Sequence, residues 1–299
     1  MAKKILISAV NSVLRPLGAE IVRAGSTAPV QPPVVRRHDP STCFMQTEGM
    51  KEMLVQELVQ VAQNFFAQRV ADVAPKGFDF RGEVEKFLSI YCAREHQNNG
   101  GGSGFHNSFW IYLTVRALSP ELIVESGVWK GHTTKLLQEA CPNATIHGFD
   151  IDLSTLEYRD GRAKFHQQDW STFDLGKIDP EKSLVFFDCH VNHARRLIES
   201  HARGFKHVLF DDDPPIHKLY SYGAPAFPTA TMLRNGIPAV LSEVKWIWHG
   251  KEMNCKIDRA EVDKATKLMA QHETFPDVAG PTRFGANQYS FLSYVRVNR

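Results

Sequence analysis

The spacing of apolar positions changes character partway along the chain, and the change divides it. From Thr47 to about Val73, "MKEMLVQELVQVAQNFFAQRVADV" repeats apolar residues at helical spacing and predicts a long amphipathic helix. "GEVEKFLSIYCAREH" predicts a second. "QNNGGGSG", Gln97 to Gly104, then interrupts with four glycines and two asparagines, suiting either a plain linker or a mobile loop near a site. Ahead of these, an amphipathic helix is expected to about Leu14, ended near Pro16 and packed on the body of the protein, with attachment to a membrane surface the alternative role. Pro29, Pro32, Pro33 and Pro40 mark an extended linker over 27–41.

After Phe105 short apolar runs alternate with helical ones. "FWIYLTVRAL" is helical, "ELIVES" a strand, "TTKLLQEAC" a helix and "TIHGFDI" a strand. "AKFHQQD" and "SLVFFD" follow as strands, then "ARRLIESHAR" as a helix, "HVLFDDD" as a strand and "SFLSYVRV" as a last strand. This rhythm predicts an α/β fold: a doubly wound, mostly parallel, Rossmann-like sheet with an antiparallel edge strand. The expected organisation is a helical N-terminal extension over 1–104, acting as a cap, and a sheet domain over 105–299.

Composition narrows the function classes. The 299 residues are 43% hydrophobic and 23% charged, with 35 basic against 33 acidic residues. That balance, with no basic cluster, argues against nucleic acid as a partner. Five scattered cysteines without a CxxC spacing fit a reducing, cytoplasmic setting and no structural zinc. No run approaches eighteen apolar residues, so no membrane span is expected. A homo-oligomer is compatible with the sequence, which leaves oligomeric state open.

In such a sheet ligands bind beyond the carboxyl ends of the strands, where strand order reverses. The first such end is "VESGVWKGHTT". Gly127 and Gly131 frame a turn, Glu125 precedes it, and His132, Thr133 and Thr134 open a helix whose free N–H groups favour an anionic group. The spacing is neither GxxxxGK[ST] nor GxGxxG, and a structural turn explains it equally well. Asp150 closes the next strand, where a carboxylate can accept from ribose hydroxyls. Asp169 and Trp170 close another, the acid suited to an amino group and the indole either to stacking on a base or to core packing. Asp188 and His190 end "VFFDCH", and Asp211, Asp212 and Asp213 end "VLFDDDPP". Three consecutive carboxylates need solvent, bases or a cation to offset their repulsion. A solvated acidic turn is one solution, and an all-oxygen Mg²⁺ site with Asp188 is the other.

Together these motifs resemble the class I S-adenosylmethionine-dependent methyltransferases over about residues 105–299. "VESGVWKGHTT" is similar to their first motif in an E-x-G-x-x-x-G form, "GFDID" to the second and "QQDW" to the adenine-side loop. The resemblance implies S-adenosylmethionine held by Glu125, Gly127, Gly131, Thr133, Asp150, Asp169 and Trp170. "FFDCH" and "VLFDDD" resemble the acids of the divalent-metal-dependent O-methyltransferases of the macrocin and catechol types. That implies Mg²⁺ on Asp188, Asp211 and Asp212, although which two of the three consecutive acids align is open. "LRPLGAEIVR" resembles bacterial enzymes of glycan modification, which would make the acceptor a small molecule or glycan hydroxyl. His190 is the candidate base, with His193 and His217 in reserve. Two departures stand out: the common G-x-G-x-G core is absent, and a bulky Trp129 sits inside the turn. A metal-independent methyltransferase and a non-catalytic binding module of the same fold remain as rival readings.

Overall fold

A computed structural model of the chain describes residues 48–92, 102–159, 161–221, 226–278 and 291–298. The helix expected to Leu14, the linker at 27–41 and residues 97–101 of the glycine-rich stretch lie outside the described residues.

Three helices come first: α1 (Glu48–Arg69), α2 (Phe80–Cys92) and α3 (Phe105–Leu118). They are followed by β1 (Leu122–Ser126), α4 (His132–Ala140), β2 (Thr145–Asp150), β3 (Ala163–Gln167) and β4 (Ser183–Phe187). Next come α5 (His193–Arg203), β5 (His207–Phe210), α6 (Ala230–Asn235) and a hairpin of β6 (Glu243–Trp248) and β7 (Lys251–Lys256). The last elements are α7 (Arg259–Leu268), β8 (Met269–Thr274) and β9 (Ser293–Val297).

Seven strands form one sheet in the order β3-β2-β1-β4-β5-β9-β8. The first five are mutually parallel, and β9 pairs antiparallel with both β5 and β8. The fold is therefore the doubly wound, Rossmann-like sheet expected. Its antiparallel strand lies one place in from the edge, which β8 occupies.

Side chains alternate across the sheet because the strand period is two. Ile123, Leu184, Phe186 and Leu209 point into one core with α1 to α4. Val124, Val185, Phe187, Val208 and Phe210 point into the other with α5, α6 and α7. Both faces are thus covered, as a parallel sheet requires. α3 lies between the sheet and the first two helices and is buried along nearly its whole length. Its Trp110 stacks on Phe275 at 5.0 Å and donates its indole N–H to the Pro276 carbonyl. Arg116 and the Tyr112 hydroxyl both donate to Glu83 of α2, so the early helices are tied to α3 by charge as well as by aromatic packing.

The β6–β7 hairpin, α6, α7 and β8 were not expected from the sequence. The hairpin signal was present in "EVKWIWHGKEMNCK": His249 and Gly250, both at positive φ, make a two-residue turn between six-residue strands. Asp258, accepting from the Glu261 N–H, caps α7.

One buried carboxylate links the late elements. Asp213, just past β5, is fully buried. It accepts from the Thr231 N–H and hydroxyl on α6, from Ser293 on β9, and pairs with His272 on β8 at 2.8 Å. His193 at the start of α5 lies 3.4 Å away. Removing the acid strands these donors in the core. Asp213→Ala should therefore cost about 3–5 kcal/mol, read as a lowered urea midpoint. A midpoint equal to that of the unsubstituted protein would remove Asp213 from this role.

Candidate functional site

The parallel register aligns Ser126, Phe149, Phe187 and Phe210 at one end of the sheet. The ladder continues one residue further: Gly127 N–H bonds to the Phe149 carbonyl, Asp188 N–H to Ser126 and Asp211 N–H to Phe187. Strand order reverses between β1 and β4, so the loops after these two strands diverge and leave a crevice. A cavity of about 460 Å³ opens there.

Gly127 sits at φ +99, and a Cβ on it would overlap the Asp188 carbonyl and lie 2.8 Å from the Cys189 nitrogen. Only glycine lets the two loops meet. Gly131, at φ +84, has the same restriction against Leu156 and Tyr158. Between them Trp129 takes φ +46 and lies 38% exposed on the cavity wall. Its ring carries Lys130 Nζ at 5.1 Å.

Asp150 organises this turn. One carboxylate oxygen accepts from the Val128 and Trp129 N–H groups at 3.0 and 2.9 Å, and the other accepts from Asp152 N–H. Asp152 in turn accepts from Ser154 N–H, capping the next turn. Thr133 shares a hydrogen bond with Ser103 at 3.0 Å, bringing the end of the glycine-rich stretch to the start of α4. Gly102, Ser103 and Thr133 consequently line the cavity.

Glu125 stands behind the turn and does not line the cavity. It is fully buried, accepts from the Thr134 hydroxyl, and its second oxygen has no hydrogen-bond partner. Burial, with Asp150 nearby, pushes its carboxyl up to about 8 against the Thr134 hydrogen bond.

On the β3 side, Asp169 lines the cavity held by Arg196, which is 1% exposed and donates to both carboxylate oxygens at 3.2 and 2.6 Å. Burial works to raise Asp169, but Arg196 and Ser171 overcome it and hold the acid well below the usual carboxylate range. Arg196 also donates to Glu199 and to Cys189 Sγ at 3.4 Å. Trp170 is fully buried against Phe187 and Phe205, with its N–H on Glu199. Of the two readings left open for it, core packing is the one observed, because α5 and β4 cover the ring.

The three consecutive aspartates part company. Asp211 accepts from Asn107 Nδ2 and from Asp212 N–H, both at 2.7 Å. Asp213 turns into the core. Asp212, at φ +50, turns toward Asp188 and His190, and its carboxylate lies 3.3 Å from His190 Nδ1. Among the described residues Asp188, His190 and Asp212 form the one group whose potential metal-ligand atoms all lie within 4.8 Å of one another. Asp211, expected in that group, lies outside it, and His190 takes its place. His193 is buried against Asp213, and His217 lies on an exposed turn away from the cavity. Burial and then Asp211 push Asp212 up to about 7, and burial with Asp211 and Asp212 raises Asp188 well above an ordinary carboxylate.

Asn107, Arg196 and His272 escaped sequence reasoning. Asn107 and Arg196 belong to helices, where the apolar pattern explained them, His272 to a strand that the sequence did not reveal, and each meets its partner over 27 or more positions.

No protein-family model matches the sequence, and no curated protein matches it. Solved structures similar to it include a magnesium- and S-adenosylmethionine-bound form of CmcI, at 20% identity and TM-score 0.33 over 40% of this chain. The chain spans 56% of that neighbour's length. Others are the O-methyltransferase TomG from Streptomyces achromogenes bound to S-adenosylmethionine, at 13% identity, TM-score 0.41, and 87% and 93% of the two chains. A methyltransferase from Podospora anserina bound to S-adenosylhomocysteine aligns at 13% identity and TM-score 0.39, over 82% and 96%. At these values a functional reading has to rest on the strand order and cavity of the chain itself.

The raised Glu125 carboxyl has a pH signature. Its folded value exceeds its unfolded one, so the native state holds the extra proton between pH 4.5 and 8 and stability falls as pH rises. Relative to Glu125→Gln, the protein should lose up to about 1.4 kcal/mol per pH unit across that window. Parallel pH dependences of the two chemical-denaturation midpoints would contradict the assignment.

Proposed function

We propose that the chain is an S-adenosylmethionine-dependent methyltransferase acting, with a divalent cation, on a hydroxyl of a small molecule or glycan. The observation that carries this reading is the charge of the cavity at the strand-order reversal. Asp150 and Asp188 line it, Asp212 stands beside Asp188, and among the described residues no lysine or arginine pairs with Asp188 or Asp212. Lys130 and Arg196 also line the cavity but are paired, with Glu157 and with Asp169 and Glu199 respectively, so the Asp188 end favours a cationic ligand over the diphosphate of a nucleotide or dinucleotide. A sulfonium with an α-ammonium group and a neutral nucleoside meets that requirement, and the cavity volume lies within the range of small-molecule sites.

When bound, S-adenosylmethionine supplies an electrophilic methyl group for in-line displacement. The residues of the chain bind and orient. Asp150, fixed by the Val128 and Trp129 amides, would accept from ribose hydroxyls. The start of α4 at His132 and Thr133 suits a carboxylate. Trp129, which lines the cavity, would form a wall over the aliphatic tail. Gln168 and Asp169, the latter held in place by Arg196, would meet the nucleoside. Asp188 and Asp212 are the carboxylates suited to a divalent cation, which would fix the acceptor oxygen and lower its pKa. His190 lines the same cavity beside them. Residues 1–104 would then serve as the acceptor-side cap, and the cytoplasm as the setting.

Calorimetry with S-adenosylmethionine should give one site per chain. Asp150→Ala should weaken it about 10- to 100-fold, since a charged acceptor and the turn it holds are lost together. An absence of heat at millimolar ligand would sink the enzymatic reading in favour of a binding module. Turnover undiminished by chelator would instead leave a metal-independent transferase.

A further inference from the structure

We infer that Asp188, His190 and Asp212 form a cation site of mixed oxygen and nitrogen donors that takes a first-row transition ion, such as Mn²⁺ or Co²⁺, in preference to Mg²⁺. This deepens the methyltransferase reading, on which it rests for the role of the ion but not for its binding.

The acids that lie outside the group define the site first. Both Asp211 oxygens accept short hydrogen bonds, from Asn107 and from the next residue's amide. Both Asp213 oxygens are taken by Thr231, His272 and Ser293 in the core. Of the four aspartates that follow β4 and β5, only Asp188 and Asp212 present oxygens to a common point. The third donor at that point is an imidazole. The mutual limit of 4.8 Å among the three ligand atoms is close to twice a metal–ligand distance of about 2.0–2.4 Å. A single ion can therefore reach all three with small side-chain adjustment.

His190 is held in this position by its backbone, at φ +53, and by the 3.3 Å approach of Nδ1 to Asp212. Cys189, between Asp188 and His190 in sequence, is engaged through its sulfur by Arg196 at 3.4 Å and is not in the group. The site thus offers two carboxylates and one imidazole, with no thiolate. Mg²⁺ prefers oxygen ligands and sheds water reluctantly, whereas imidazole adds affinity for Mn²⁺, Fe²⁺, Co²⁺ and Zn²⁺. Two carboxylates keep the site hard enough for Mn²⁺. As a ligand through Nδ1, His190 acts by holding the ion rather than as the proton acceptor expected from sequence.

The test uses the full chain stripped with chelator, with thermal melting to establish that each variant is folded. Mn²⁺ binding is read by loss of the free-ion electron paramagnetic resonance signal, Co²⁺ by its visible absorption, and Mg²⁺ by competition with Mn²⁺. One Mn²⁺ per chain should bind, with Mg²⁺ displacing it only at about tenfold or greater excess. His190→Ala should weaken Mn²⁺ about 10- to 100-fold while leaving Mg²⁺ little changed, and should alter the Co²⁺ spectrum. Asp211→Asn should retain Mn²⁺. The inference is overturned if His190→Ala binds Mn²⁺ like the unsubstituted protein, if Mg²⁺ competes on equal terms, or if Asp211→Asn loses the ion as Asp188→Asn does. S-adenosylmethionine calorimetry on the same stripped protein separates the two readings. Cofactor binding without any ion overturns the cation site alone, and ion binding without the cofactor overturns the methyltransferase reading alone.

Discussion

Asp213 is the constraint on which the candidate site depends. Burying a carboxylate this completely is costly unless each oxygen is paired, and here donors from α6, β8 and β9 converge on it. Burial alone would raise its pKa, yet His193 and His272 hold it well below the usual carboxylate range, so it stays ionised. An ionised, saturated Asp213 fixes the chain immediately after β5. With Asp213 directed inward and Asp211 bound by Asn107 on the other side, the residue between them has one direction left. Asp212 takes a left-handed backbone conformation and faces Asp188. Strain of this kind persists only where the surroundings over-determine it, and two anchored neighbours do so.

The same logic governs the opposite wall. Gly127 brings the β1 loop against the backbone of Asp188, and Asp150 gathers two consecutive amides of that loop onto one oxygen. The loop after β1 is therefore a turn held from below by a carboxylate, and Trp129 within it is accommodated at positive φ on the cavity wall. Arg196 performs the corresponding task on the β3 side. It is almost wholly buried and saturates three acceptors, so Asp169 is rigid before any ligand arrives. Groups held in advance cost less to organise on binding.

Much of the sheet was legible in the sequence because its signals are local. Short alternating apolar runs ended in glycine or acid, and the strands fell where those runs lay. The positions of Gly127, Asp150 and Asp188 at strand ends followed from the same pattern. What could not be read was which way each acid turns. The three aspartates after β5 are chemically identical, and only partners 18 to 104 positions away distinguish them. Trp170 was ambiguous for the same reason, since an indole at a strand end packs or stacks according to whether a distant helix covers it. The late hairpin was a different kind of omission: its two-residue turn and alternation were in the sequence, but its strands are half exposed and weakly apolar.

The site is built at the expense of local stability. Glu125, Asp188 and Asp212 are all raised in pKa chiefly by burial, so ionising any of them in the fold costs more than it does in water. Such an arrangement is tolerated because the aromatic layer of α1, α2 and α3 and the saturated Asp213 and Arg196 networks supply stability on either side of it. A cationic ligand or a metal ion entering the cavity relieves the repulsion that the acids otherwise sustain, and binding is strengthened by the amount relieved. Asp188 and Asp212, whose ionisation burial opposes, are thus the same groups that would draw a positive charge into the cavity.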